Sequence, residues 1–104
     1  MPKAGDVIIT RVQFADSEGL KIRPALVLFE ELGNIAIAGI TTNLQMKGIH
    51  ISTNEGAVQE SVIKLNYIFT ITDGAIIKTV FQLSPKKKRL VFEELAQRLS
   101  SLKG

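Results

Sequence analysis

A mainly β chain, built as a small barrel or sandwich of short strands and closed by one C-terminal helix, is the architecture this sequence predicts. Three observations carry the prediction. Turn signals recur roughly every 8–12 residues through the first four-fifths of the chain. The segments between them alternate or cluster β-branched and apolar residues. After Ser84-Pro85 the period changes, and Val91, Leu95, Leu99 and Leu102 fall on one helical face with Leu90 beside them.

Residues 6–14 form the first strand, with Ile8, Thr10, Val12 and Phe14 on one side. Residues 15–22, carrying Asp16, Ser17 and Gly19, form a loop. Residues 24–29 are a continuous apolar run, as expected of a strand buried on both faces. A hairpin connection over residues 30–34 leads into a third strand at 34–42, whose small residues Ala36, Ala38 and Gly39 predict close approach of backbone or ligand.

A polar loop at 43–48 precedes a short strand at 49–53 and a turn at Asn54-Glu55-Gly56. Residues 61–65 and 67–71 read as two strands or one bent strand, broken at Asn66. Thr72-Asp73-Gly74 is a strong turn signal before a strand at 75–83. Ser84 is a suitable helix N-cap and Pro85 suits the first turn, so a helix is expected over about residues 85–103. The whole reads as one domain, with the barrel at about residues 5–83.

The chain has 104 residues, 45% hydrophobic and 22% charged, values ordinary for a soluble globular protein. No apolar run approaches the roughly 20 residues of a membrane span, and residues 1–6 carry no signal-peptide core, so a cytoplasmic location is expected. Cysteine is absent and histidine occurs once, which argues against disulfides, thiolate metal sites and a Ser-His-Asp machine. No cofactor is expected. Six basic and two acidic residues lie from Ser84 onward, leaving the earlier residues at a net −1 out of a total of +3. The basic balance therefore does not by itself mark a nucleic-acid surface on the body of the domain.

The most informative stretch is Glu18-Gly19-Leu20-Lys21-Ile22-Arg23-Pro24. A guanidinium opening an apolar strand calls for a carboxylate or phosphate partner. Pro24 removes a ladder donor, which predicts Arg23 at a strand's first residue or at a sheet edge. On these residues alone Arg23 either forms a surface ion pair with Glu18 or waits for a ligand. Thr41 and Thr42 end the third strand, where a hydroxyl can meet a ligand or simply reflect β-propensity. His50 alternates with Ile49 and Ile51 and reads as a surface residue before a base. Lys86-Lys87-Lys88-Arg89 reads as a solvated helix start, with RNA phosphates or an acidic peptide as the sharper alternative.

In order, Gly5-Asp6-Val7, Ser17-Glu18, Arg23-Pro24-Ala25-Leu26-Val27-Leu28, Ile37-Ala38-Gly39-Ile40-Thr41, Glu60-Ser61-Val62-Ile63-Lys64-Leu65 and Ile68-Phe69-Thr70-Ile71 resemble the MazF/PemK family of toxin–antitoxin ribonucleases. The resemblance spans nearly the whole chain and rests on the ordered set. It implies an SH3-like barrel with a C-terminal helix, a homodimer, an antitoxin protein partner and metal-free cleavage of single-stranded RNA. It maps the family's catalytic arginine, threonine and loop acid to Arg23, Thr41 and Glu18. Lys21, Thr42, Lys47 and Lys64 are then candidate RNA contacts, and Tyr67 or Phe14 a candidate base-stacking ring. The loop at 14–23 is shorter than in many relatives, and the glycine they place before the arginine is replaced by Leu20, Lys21 or Ile22. The rival reading is a non-catalytic module on the same barrel, as in the gyrase poison CcdB or an inactive RNA- or partner-binding relative.

Overall fold

The structure, a computed structural model, describes residues 2–12 and 19–104. Among these residues six strands form one antiparallel sheet: β1 (Asp6–Val12), β2 (Lys21–Glu31), β3 (Asn34–Thr41), β4 (Ile49–Ile51), β5 (Ser61–Thr72) and β6 (Ile76–Gln82). Their order in the sheet is β4-β5-β3-β2-β1-β6, so β4 and β6 are its edges. The chain ends in helix α1 (Pro85–Leu99) and a short 3-10 turn (Ser100–Lys103). The mainly β class with one C-terminal helix is as the sequence predicts. The expected end of the first strand at Phe14 lies outside the described residues.

Side-chain alternation buries both faces of the central strands. On one face Ile8, Val12, Ala25, Val27, Ile35, Ile37 and Ile71 form a cluster. On the other, Val7, Leu26, Ala38, Ile40, Ile63 and Leu65 meet Ile49 and Ile51 of β4 and Val91 of α1. The period of two thus places residues 25 and 27 against one cluster and residue 26 against the other. Double burial of β2 stops at Val27; Leu28 is half-buried and Phe29 is 59% exposed. The apolar run was expected to be buried through residue 29, but the register shift between Val27 and Phe29 ends that burial.

Each turn has a local cause. β2 and β3 are joined by only two residues, Leu32 and Gly33, both at positive φ (54° and 84°), a tighter connection than the sequence suggested. This is the type I′ geometry whose twist matches antiparallel strands, and the Gly33 N–H donates to Glu30 Oε2 at 2.9 Å. Thr10 is fully buried, and its hydroxyl donates to the Ala75 carbonyl at 3.0 Å, fixing the 3-10 turn Asp73–Ala75 between β5 and β6. Buried Asp6 accepts from the Lys3 N–H at 3.0 Å and from the Gln82 side-chain amide. The Gly5 N–H reaches the Val27 carbonyl and its own carbonyl accepts from Leu83 N–H, both at 2.9 Å. Gly5 sits at φ 93°, and a Cβ there would collide with the Lys88 stem.

Helix α1 starts as expected: the Ser84 hydroxyl accepts from the Lys87 N–H at 3.2 Å and Pro85 opens the first turn. Its predicted apolar face is only half used. Val91 is buried and Leu95 half-buried, whereas Leu90, Leu99 and Leu102 are exposed, as is Phe92, which lies outside that face. The basic run also departs from a simple solvated face. Lys87 turns inward, its ammonium donating to the His50 carbonyl at 2.7 Å and lying 3.4 Å from Glu55 Oε1. Glu55 Oε2 in turn accepts from the Ser52 N–H and hydroxyl at 2.9 and 3.1 Å, so one side chain staples the helix start to the end of β4.

Burial of Glu55 works against its charge, but the Ser52 N–H, the Lys87 ammonium and the Ser52 hydroxyl together outweigh it and hold the carboxyl below its ordinary value of 4.5. A depressed folded-state value gives stability that is complete above 4.5 and is lost as pH falls through the lower folded value. In thermal melts, the advantage of wild type over Glu55→Gln should therefore be full at neutral pH and shrink below pH 4.5. Leu32, 94% exposed in the left-handed region, should be improved by Leu32→Asn. A gain of about 0.5–1 kcal/mol is expected, read as a melting temperature raised by roughly 4 °C.

Candidate functional site

Pairing between β2 and β3 begins at Ala25, opposite Gly39, although β2 itself begins at Lys21. Continuing that register would set Arg23 opposite Thr41, yet no β2–β3 pair forms there. Pro24 supplies no N–H to either neighbour. Residues 21–24 are therefore paired on one side only, to β1, with Arg23 opposite Thr10. Arg23 is the third residue of an interior strand and not its first, but it stands on a local edge, the other placement the sequence offered. The opening between the two strands is a cleft of about 230 Å³.

Alternation points Arg23, Ala25, Gly39 and Thr41 to the face that carries Ile8, Ile35 and Ile37, away from α1. Arg23 is exposed; its Nη1 donates to the Ile22 carbonyl at 3.0 Å, which parks the guanidinium against its own strand with its other N–H groups available. Thr41 is half-buried, and its hydroxyl oxygen accepts from the Asn43 N–H at 3.1 Å. With one lone pair engaged and the oxygen so positioned, its O–H remains available to donate to a ligand. Lys64, Tyr67 and Phe69 of β5 complete the lining. The Lys64 ammonium lies 4.6 Å from the Tyr67 ring centroid, and the Tyr67 and Phe69 rings meet edge to face at 5.7 Å and 80°.

The cleft thus holds two cations, an oriented hydroxyl and two aromatic rings, and no acidic side chain lines it among the described residues. That composition suits a polyanion with planar groups, such as a single strand of nucleic acid. The positive field is local, since the body of the chain is close to neutral.

Of the sequence candidates, the structure brings Arg23, Thr41 and Lys64 into this cleft. Thr42 lies on the opposite face and lines a separate apolar depression with Ile51 and Phe81. Lys21 and Lys47 are exposed and do not line the cleft. Glu18 and Phe14 lie outside the described residues. His50 is exposed on β4, as its alternation indicated. Phe69 was missed as a site residue, though its spacing of two from Tyr67 after the break at Asn66 was the available signal. The close approach expected at Gly39 is made by Tyr67. Among the described residues no three His, Asp or Glu side chains gather into a metal-binding group.

A larger groove of about 680 Å³ runs between α1 and the sheet. Phe29, Ile68, Phe92 and Leu99 line it, all at least half exposed or nearly so, and among the described residues Lys88 is its one charged member. It offers area without reactive groups. Among the described residues no helix is long and apolar enough to cross a membrane.

Solved structures share this architecture. A chain described as an endoribonuclease in complex with its cognate antitoxin from Mycobacterial species superimposes with a TM-score of 0.73 at 13% identity, covering 96% of each chain. The Mycobacterium tuberculosis toxin MazF-mt6 gives a TM-score of 0.69 at 22% identity, over 89% of this chain and 96% of that one. At such identities the likeness establishes the fold. No curated protein sequence matches the chain. The family model for the PemK-like, MazF-like toxin of type II toxin–antitoxin systems matches residues 3–99, and the chain belongs to that family.

Proposed function

We propose that this chain is an endoribonuclease toxin that cuts single-stranded RNA, mRNA in particular, without a metal. The observation that carries the reading is the convergence of Arg23 and a pre-oriented Thr41 hydroxyl in one cationic cleft at the open end of β2 and β3. The substrate's 2′-OH attacks the adjacent phosphorus and the bond to the 5′-oxygen breaks, leaving a 2′,3′-cyclic phosphate and a 5′-OH. The nucleophile is part of the substrate, so the protein needs to position it, accept its proton and neutralise the charge gathering on phosphorus.

Arg23 suits the charge: its planar fork of donors grips non-bridging oxygens and sits beside the departing oxygen. Thr41 donates to a non-bridging oxygen from a hydroxyl that the Asn43 N–H already holds in place. Glu18 is assigned the base on the family resemblance. Lys64 reaches the backbone phosphate from β5; Lys21 and Lys47, outside the cleft, serve at most the flanking nucleotides.

The apolar groove along α1 is the face proposed for homodimerisation, since exposed Phe29, Phe92 and Leu99 gain most by mutual burial. An antitoxin partner, acting in the same cytoplasm, would silence the cleft by placing acidic residues against Arg23 and Lys64.

Incubation with a long single-stranded RNA in EDTA, followed by end-group analysis, tests the activity. Discrete cuts ending in 2′,3′-cyclic phosphate are expected. Arg23→Ala should slow them about 10²–10³-fold. Thr41→Val should cost about tenfold, the size of one lost hydrogen bond, with Thr41→Ser close to wild type. RNA left intact by folded wild-type protein would move the assignment to a non-catalytic binding module. In sedimentation, wild type should run as a dimer and Phe92→Asp as a monomer, because the substitution buries an unpaired carboxylate in the proposed interface.

A further inference from the structure

We infer that the main-chain carbonyl of Ile40 is the acceptor that holds the substrate's attacking 2′-OH, and that Pro24 is the positioning residue that keeps it unpaired. The inference rests on the RNA-cutting assignment for the identity of the ligand, and on strand register for the site.

The register fixes which way Pro24 faces. Pro24 stands opposite Ile9 inside an unbroken β1–β2 ladder that runs from Val7 with Leu26 to Val12 with Lys21. A residue without an N–H can take that place only in a non-hydrogen-bonded pair, whose nitrogen and carbonyl point to the other neighbour. The nitrogen of Pro24 therefore faces β3. One pair beyond Ala25 and Gly39 it would stand opposite Ile40, in a pair that exchanges both backbone bonds. The Ile40 N–H has the Pro24 carbonyl to meet, but Pro24 has nothing to donate to the Ile40 carbonyl. Alternation turns that carbonyl away from β5, so no ladder bond reaches it from there. Among the described residues no turn or cap donates to it either.

Ile40 lines the opening between β2 and β3, yet its side chain packs in the helix-side cluster. What it shows to the cleft is therefore main chain, one residue from the Thr41 hydroxyl and across from Arg23. An unpaired carbonyl in that place calls for a donor from the ligand. A phosphate gripped by Arg23 and Thr41 brings only acceptors. On an RNA strand the donor nearest that phosphate is the 2′-OH of the preceding ribose; the base N–H groups lie beyond the sugar. Bonding its hydrogen to Ile40 turns a lone pair of the 2′-oxygen toward phosphorus. An amide carbonyl is too weak a base to keep the proton. It passes to the general base as the new O–P bond forms and the bond to the 5′-oxygen breaks. DNA lacks this hydroxyl, so the acceptor also reads ribose.

Pro24→Ala is the smallest change that restores a donor. The new N–H should bond the Ile40 carbonyl, which is read as slowed hydrogen exchange at residue 24. Two single-stranded oligomers of one mixed sequence serve as probes. Both carry CH2 in place of each departing 5′-oxygen, so neither can be cut. One keeps every 2′-OH; the other has 2′-fluorine, which donates nothing but preserves the sugar pucker. By anisotropy, wild type should bind the hydroxyl oligomer about fivefold more tightly, the worth of one hydrogen bond. Pro24→Ala should lose that factor and bind the fluorinated oligomer within about twofold of wild type. It should cut ordinary RNA about tenfold more slowly. Pro24→Val supplies the same N–H from a residue that favours strands and repeats the comparison.

Equal weakening of both oligomers in Pro24→Ala overturns the inference, as does fast exchange at residue 24 or wild-type binding that ignores the 2′ group. The two readings fail separately. A hydroxyl preference lost in Pro24→Ala, with ordinary RNA left intact by wild type, would sink the nuclease and leave the acceptor as a reader of ribose. Cutting by a wild type blind to the 2′ group would do the reverse.

Discussion

The register between β2 and β3 is the constraint on which the rest depends. Leu26 with Ala38 must face the helix side while Ala25, Val27 and Ile37 face the other, and all five are essentially inaccessible to solvent. A slip of one residue would exchange the two sets and carry Arg23 and Thr41 to the wrong side of the sheet. The two-residue turn at Leu32-Gly33 fixes the same register from the far end. The site lies where this well-determined ladder stops, one residue beyond Pro24. Rigid strands therefore deliver the two polar side chains, while the absence of pairing leaves room between them.

The two faces of the sheet then take on different work. On the helix side there is volume, apolar area and a single lysine; on the opposite side there is a smaller cleft with two cations and no acid among the described residues. The larger opening is the more conspicuous, but its lining can only exclude water. Chemistry needs charge and an oriented donor, and those are found in the smaller one. The basic run at the start of α1 does not line the smaller cleft, and only its Lys88 borders the groove. Lys87 is spent on Glu55 and a carbonyl, Lys88 covers Gly5 with its stem, and Arg89 stands 3.9 Å from Glu93.

Much of this was legible in the sequence because it follows from local rules. The period-two strands, the Ser84-Pro85 helix start and the break at Asn66 each depend on neighbouring residues alone. Arg23 and Thr41 stood out because a guanidinium and a hydroxyl sat at the ends of apolar runs, and family resemblance joined them. What could not be read depends on pairing across the sheet. Thr41 and Thr42 are chemically alike, and only the β3 register sends one to the cleft and the other to the far face. Lys87 looked like its neighbours until β4 supplied a carbonyl and Glu55 a carboxylate. Phe69 carried no signal of its own beyond strand spacing, and it is half core, because its strand passes from the cluster beneath to the cleft above.

Helix α1 is anchored at one end. Its start is capped by Ser84, stapled by Lys87 and buried at Val91, whereas beyond Leu95 its apolar side chains meet solvent. Isolated helical turns are marginal in water, so the uncovered last turns are the part of α1 that opens most readily. Amide protection along α1 should decay from its first turn to its last in dilute protein and level out as a covering partner is added. In a cell, the same gradient would make the tail of an uncovered chain the first place a protease could grip.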